Sequence, residues 1–142
     1  MTDFKIFMKP NALPAQTEKY IASTRFVGED GKPAAWEIQA ITSEEDEAIR
    51  KSCTKKVPIH GKGNQFTVET DYNKYLGLLA VRCTVFPDLE NSELQDSYGV
   101  MGADKLLKTM LLPGEYANYL SQIQQINRFD ITTEELVDEV KN

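Results

Sequence analysis

The 142-residue chain holds two cysteines, Cys53 and Cys83, and a single histidine, His60. Two thiols with no CxxC pair supply neither a disulfide framework nor a zinc ribbon. One imidazole cannot build a HExxH motif, a three-histidine metal site or a relay that needs two histidines. Long apolar runs are also missing. The longest aliphatic stretch, Leu78-Leu79-Ala80-Val81, falls far short of the roughly 18 residues that a bilayer-spanning helix needs. The opening residues, Met1-Thr2-Asp3-Phe4-Lys5-Ile6, carry an early acid and no apolar core of a secretory signal. These gaps lead us to expect a soluble protein of a reducing cytoplasm, with no metal, no cofactor and no membrane partner.

Basic charge is scarce as well, 16 Lys and Arg standing against 22 Asp and Glu for a net charge of −6. The imbalance is local. Residues 1–86 hold 12 basic and 11 acidic side chains, whereas residues 87–142 hold 4 and 11. Such a chain lacks the electrostatic footprint that phosphate backbones require, so no nucleic-acid partner is expected. At 41% hydrophobic and 27% charged, the composition is that of one globular domain with a core of its own.

Hydropathy patterning predicts an α+β, helix-rich fold, with N-terminal β-hairpins followed by a compact C-terminal helical bundle. Residues 1–16, with Pro10 and Pro14, read as an irregular arm in which Phe4, Ile6 and Met8 alternate as in a short strand. Residues 17–142 read as a single domain, hairpin-rich over 17–70 and helical over 71–142. In residues 18–41, Tyr20, Ala22, Thr24 and Phe26 alternate before the turn Gly28-Glu29-Asp30-Gly31-Lys32-Pro33, and Trp36, Ile38 and Ala40 alternate after it. A helix capped by Ser43 follows. Its first turn is acidic, Asp46/Arg50 and Glu47/Lys51 form i,i+4 pairs, and Lys55 and Lys56 close it. We read that acidic run as a solvated, dipole-matched face rather than a catalytic cluster. A second hairpin is expected across Val57–Ile59 and Phe66–Val68, with His60 at its tip.

Beyond it, Asp71 caps a core helix expected to run to about Phe86, with Tyr72, Leu76, Leu79, Cys83 and Phe86 in one stripe. Pro87 ends it. Ser92 and Gln95 form a capping box for a short helix closing near Gly99. Residues 102–112 make a third helix, and Tyr116, Tyr119, Leu120, Ile123 and Ile126 define a fourth. A last helix starts at Thr132, with Glu135 completing a capping box and Ile131 stapling onto Leu136.

Chemical motifs are sparse. Gly61-Lys62-Gly63 lacks the spacing of a phosphate loop, and there is no GxSxG elbow, dinucleotide fingerprint or EF-hand loop. Gly99-Val100-Met101-Gly102 has the form of a GXXG clamp, but its centre is apolar and its surroundings acidic, so a helix C-cap accounts for both glycines. A nucleophile pairing His60 with a cysteine stands as an enzymatic alternative, although thiols on apolar helix faces are ordinarily inert. We expect no enzyme.

One set of segments is specific. It comprises Ser23-Thr24-Arg25-Phe26, Gly31-Lys32-Pro33, Trp36-Glu37-Ile38, Ala40-Ile41-Thr42 and the acidic run from Glu44 to Asp46. Asp71 to Tyr75, Phe86-Pro87-Asp88-Leu89, Leu94-Gln95-Asp96-Ser97-Tyr98-Gly99-Val100, Leu106 to Leu111 and Pro113-Gly114-Glu115-Tyr116 continue it, to a closing Val140-Lys141-Asn142. This set resembles the XkdN-like tail assembly chaperones of phages and defective prophages of Gram-positive bacteria. The resemblance runs from about Ser23 onward, and the residues before it carry least.

What the resemblance implies is a non-enzymatic role: binding the long, apolar tape measure protein and keeping it soluble until the tail tube polymerises around it. It further implies several copies on the client, contact with the tail tube protein, action in the host cytoplasm and absence from the mature virion. A related system often makes a longer chaperone by frameshifting. The alternative is a structural adaptor or baseplate component retained in the tail. For the contact itself we expect an apolar groove in the C-terminal helices from Leu107, Met110, Leu111, Tyr116 and Tyr119. Acidic neighbours, among them Asp104 and Glu115, would select basic client segments. The same apolar side chains also have the spacing of ordinary core.

Overall fold

A computed structural model describes residues 4–129. The elements in chain order are β1 (Thr17–Tyr20), β2 (Trp36–Gln39), α1 (Ser43–Ser52), β3 (Thr54–Pro58), β4 (Phe66–Thr70), α2 (Tyr72–Cys83), β5 (Thr84–Phe86), α3 (Ser92–Ser97), α4 (Ala103–Met110) and α5 (Pro113–Ile126). The architecture is α+β, strands dominating the first half and helices the second, with α1 and β5 interleaved. The helix expected from Thr132 lies outside the described residues.

Two sheets form. One is three-stranded in the order β1-β2-β5, and the other is the β3–β4 ribbon. In the first, β2 runs antiparallel to β1 from Thr17↔Gln39 to Tyr20↔Trp36, so the expected pairing of these segments holds. The strands are shorter than the alternation implied. Residues 21–35 form a long connection closed by a Val27↔Pro33 bridge, and Gly31 takes a positive φ of 78° at the tip. Strand β2 is the alternating element: Trp36 and Ile38 are buried while Glu37 and Gln39 are half-buried.

The second correction concerns β5. The helical stripe continues on paper to Phe86, yet α2 stops at Cys83 and Thr84–Phe86 pair with β2 instead. Three β-suited residues ahead of a proline resist the helix, because the residue before proline is pushed out of the α region. The free edge of β2 supplies their hydrogen-bond partners. The Thr84 hydroxyl donates to the Ala80 carbonyl at 2.7 Å and meets the Tyr119 hydroxyl at 2.6 Å, which locks the switch from helix to strand. The buried face of α2 is accordingly Tyr75, Leu79, Ala80 and Cys83, while Tyr72 and Phe86 are exposed.

Helix ends also move by a residue. Thr42, not Ser43, caps α1, its hydroxyl accepting from the Glu45 N–H at 3.2 Å. Asn91, not Ser92, caps α3 by accepting from the Leu94 N–H at 2.8 Å. Gln95 then turns inward, donating to the Leu89 carbonyl and accepting from the Gly102 N–H. Asp71 caps α2 as expected, accepting from the Lys74 N–H at 3.1 Å. Gly99 and Gly102 both have positive φ, the helix-ending connection read from their spacing. Lys55 and Lys56 belong to β3 rather than to the end of α1.

The core gathers between the three-stranded sheet and helices α2, α4 and α5. Trp36 meets Tyr119 edge to face at 5.3 Å, and Leu79, Leu106, Leu107 and Ile123 fill the space around them. Each fully buried side chain of this size contributes roughly 1.5–3 kcal/mol, so the α2–α4–α5 contact dominates stability. Helix α1 buries none of its own residues and is held by polar ties. The Tyr75 hydroxyl donates to Asp46, Arg50 binds the same carboxylate at 3.0 Å, and Arg82 pairs with Glu45. At the far end of α5, Asn127 accepts from the Ile41 N–H at 3.0 Å and donates to the Ile123 carbonyl at 2.8 Å.

Candidate partner-binding surface

Of the seven residues expected to contact a partner, four lie inside. Leu107, Met110, Leu111 and Tyr119 are buried in the core of the chain itself. The sequence spacing that marked them as a stripe is satisfied by packing α4 and α5 on α2, so the apolar groove expected there is closed in this fold. Burial pushes the Tyr119 hydroxyl upward in pKa, against the opposing hydrogen bond with Thr84, and so holds it protonated.

The other three sit at the rim of α4 and α5. Tyr116 is half-buried, its hydroxyl 3.1 Å from where a β-carbon on Gly77 would stand, which is how α2 and α5 come so close. Burial raises its pKa, with the Asp104 charge adding to the effect. Glu115 is engaged by its own fold. Its carboxylate accepts from the Leu112 N–H at 2.8 Å, closing the first turn of α5, and lies 3.7 Å from Arg25. That backbone bond, followed by the Ser23 hydroxyl, holds the carboxyl below the usual glutamate range. Arg25 also donates to the Met110 carbonyl and covers the Phe26 ring at 5.3 Å, so it latches the residue 21–35 connection onto the α4–α5 corner.

A comparison of the whole sequence with protein-family models matches residues 4–141 to the phage XkdN-like tail assembly chaperone protein. The chain belongs to that family. Two relatives come from Bacillus subtilis (strain 168). The uncharacterized protein YqbN is 30% identical over 141 residues, covering 99% of this chain and 93% of YqbN. The phage-like element PBSX protein XkdN is 28% identical over 141 residues, covering 99% of this chain and 94% of XkdN. The crystal structure of YqbN superposes with a TM-score of 0.76 at 26% identity, covering 92% of this chain and 99% of that one. The fold described above is therefore one that a solved relative shares.

For a tail assembly chaperone, whose role is not enzymatic, the informative places are where apolar side chains stay outside. The N-terminal arm is the densest. Phe4–Phe7 form a short 3-10 turn, not the strand that their alternation suggested, and the turn buries none of its residues. Phe4 is 72% exposed, Phe7 74% and Leu13 94%, with Ile6 and Met8 also outside. The Asn11 side-chain amide donates to the Lys5 carbonyl at 2.7 Å and gives the turn its shape. The sequence signal was present: large hydrophobes in a segment whose two prolines rule out a long strand or helix have no regular face to bury. Further such positions are Phe66 and Val68 on β4, and Tyr98 and Met101 after α3.

His60 is exposed at the ribbon tip, while Cys53 and Cys83 are both free and buried. Burial pushes the Cys83 thiol upward in pKa, against the Asn127 amide that donates to its sulfur at 3.4 Å. A raised, buried thiol is the reverse of an activated nucleophile. Among the described residues no helix is long and apolar enough to cross a membrane.

Proposed function

We propose that this chaperone binds the phage tape measure protein and keeps it soluble until the tail tube polymerises around it. Family membership supports the tail-assembly setting. The observation that carries the reading to an apolar client is the N-terminal arm, where Phe4, Ile6, Phe7, Met8 and Leu13 all face outward. So many large apolar side chains exposed within ten residues suit a protein contact, and aromatic and methionine side chains adapt to many partners. The rim residues Asp104, Tyr116 and Glu115 add a charged contact at the other end of α5. Leu107, Met110, Leu111 and Tyr119 support that rim from within.

In this reading the chaperone works in the host cytoplasm, several copies to a client, meets the tail tube protein as the tube grows, and leaves before the virion is complete. Co-expression with the tape measure protein of the same phage tests it. The client stays soluble and co-elutes with the wild-type chain, whereas Phe4→Ser with Phe7→Ser loses it while keeping the wild-type circular dichroism spectrum. A client found in the pellet whether or not the chain is present overturns the assignment. Mass spectrometry of purified tails is expected to find the chain absent, and its retention would make it a structural adaptor.

A further inference from the structure

We propose that the outer edge of β4 takes up an extended acidic segment of a partner protein as a third strand of the β3–β4 ribbon. This surface belongs to a different segment from the N-terminal arm and owes nothing to the tape measure reading. β3 and β4 pair fully, from Thr54↔Thr70 to Pro58↔Phe66, and among the described elements they pack closely only on each other. Two strands alone are marginally stable in water, and a third adds to them. The two edges of the ribbon are not alike. β3 carries Lys55, Lys56 and Pro58, the charges and the missing N–H by which sheets blunt an edge. β4 runs Phe66-Thr67-Val68-Glu69-Thr70 with no proline and no lysine, and every one of these residues is exposed. No described strand pairs with its outer side, so its outward N–H and C=O groups are left for a strand from elsewhere.

Charge and reach define that strand. Residues 48–68 hold five basic side chains and no acid, in a chain of net charge −6. Arg50 and Lys51 are engaged with Asp46 and Glu47 on α1, and Lys55 stands opposite Glu69 across the ladder. Lys56 and Lys62 form no ion pair among the described residues. Lys56 pairs with Val68 in register and so shares its face, together with Pro58 and Phe66. A strand added beside β4 stands two strand spacings from β3, about 10 Å, which a lysine and a glutamate side chain span together over Val68. On the opposite face, Glu69 repels an acid placed beside it. The occupant therefore carries its acids on the Lys56 face, and covering Phe66 and Val68, 56% and 66% exposed, adds apolar contact. The same edge favours protein over nucleic acid. Backbone amides pair with backbone amides, and two unpaired ammonium groups fall short of what a phosphate chain requires.

An NMR titration of the full chain with a synthetic peptide of alternating glutamate and valine, roughly eight residues long, tests this. The amide signals of Phe66–Thr70 are expected to shift saturably, and those of the N-terminal arm to stay. Lys56→Glu with Lys62→Glu weakens peptide binding at least about tenfold, because like charges then meet. Val68→Glu weakens it from the acceptor strand itself, and raising the salt concentration weakens the wild-type contact too. The same peptide N-methylated at every backbone nitrogen does not bind, since it has no N–H left to pair with the edge. Circular dichroism verifies that each variant folds. The proposal is overturned by a peptide that moves no ribbon signal, by an N-methylated peptide that binds as well, or by single-stranded DNA that binds the ribbon more tightly. Ribbon signals that move with the concentration of the chain alone would give the edge to a second copy and overturn it equally. No client enters the experiment, so such a failure leaves the tape measure reading to its own co-expression test.

Discussion

Tyr75 shows how a single side chain can serve two environments. Its ring is fully buried against α2's neighbours and packs 5.6 Å from Tyr72, while its hydroxyl donates to Asp46 on α1. Burial and that bond together raise its pKa, so it donates throughout the accessible pH range. Tyr75→Phe keeps the packing and removes the donor. Asp46 retains Arg50 at 3.0 Å, so the cost falls at the lower end for a charged acceptor, about 1–2 kcal/mol by denaturant titration. Glu115 yields a pH prediction. Its folded pKa lies below the ordinary value of 4.5, so its contribution to stability is present above that value and is lost as pH falls through the lower, folded one. Stability measured against pH therefore drops on the acid side, and Glu115→Gln flattens that drop. An unchanged slope would mean that the Leu112 and Ser23 contacts do not bias the carboxyl.

At the scale of elements, the decisive events are terminations. Helix α2 yields to β5 where Thr84 meets both Ala80 and Tyr119, and the end of α5 is tied down by Asn127. Asn127 ties two helices to the connection between β2 and α1, through the Ile123 carbonyl, the Cys83 sulfur and the Ile41 N–H. Asn127→Ala leaves the Ile41 N–H without its partner, and a loss of about 1–3 kcal/mol is expected in thermal or denaturant unfolding. Elements with strong local signals were legible beforehand. The acidic first turn of α1, the Asp71 cap and the glycine-punctuated turns each encode their geometry within a few residues. Strand β5 was not legible, because Leu76, Leu79, Cys83 and Phe86 keep a helical period and the competing partner, β2, lies more than 40 residues away in sequence. The caps were hidden for a different, local reason: Thr42 and Ser43, or Asn91 and Ser92, are all good capping residues, and only the entry of the chain into the helix chooses between them.

At the scale of the whole molecule, the side chains that hold the fold and the densest run of exposed apolar side chains belong to different segments. Leu79 sits where α2 meets α4 and α5, and Leu79→Ala is expected to cost about 2–5 kcal/mol. Against a total stability of roughly 5–15 kcal/mol, that is a large share. Phe4→Ser with Phe7→Ser touches nothing buried, and its effect on stability is expected within about 0.5 kcal/mol. Measured side by side by denaturant unfolding, the two variants distinguish a residue that holds the fold from residues free to hold a partner. A large loss from the arm variant would show that the arm packs on the domain.

The amino-acid sequence by itself determined the class of fold, strands leading and helices following, and, through strings such as Leu94-Gln95-Asp96-Ser97-Tyr98-Gly99-Val100, the family. Those properties are local or additive: periodicity, caps, turn residues and charge are each written within a short window. Which apolar side chains remain outside was decided only by the tertiary structure. The spacing of Leu107, Met110, Leu111 and Tyr119 suits a groove and ordinary core alike, and the packing of the helices and the three-stranded sheet made them core. Phe4, Phe7, Phe66 and Met101 stayed outside because, among the described residues, no element covers them. Burial is a relation between distant segments, so no short window of sequence decides which apolar side chains end inside.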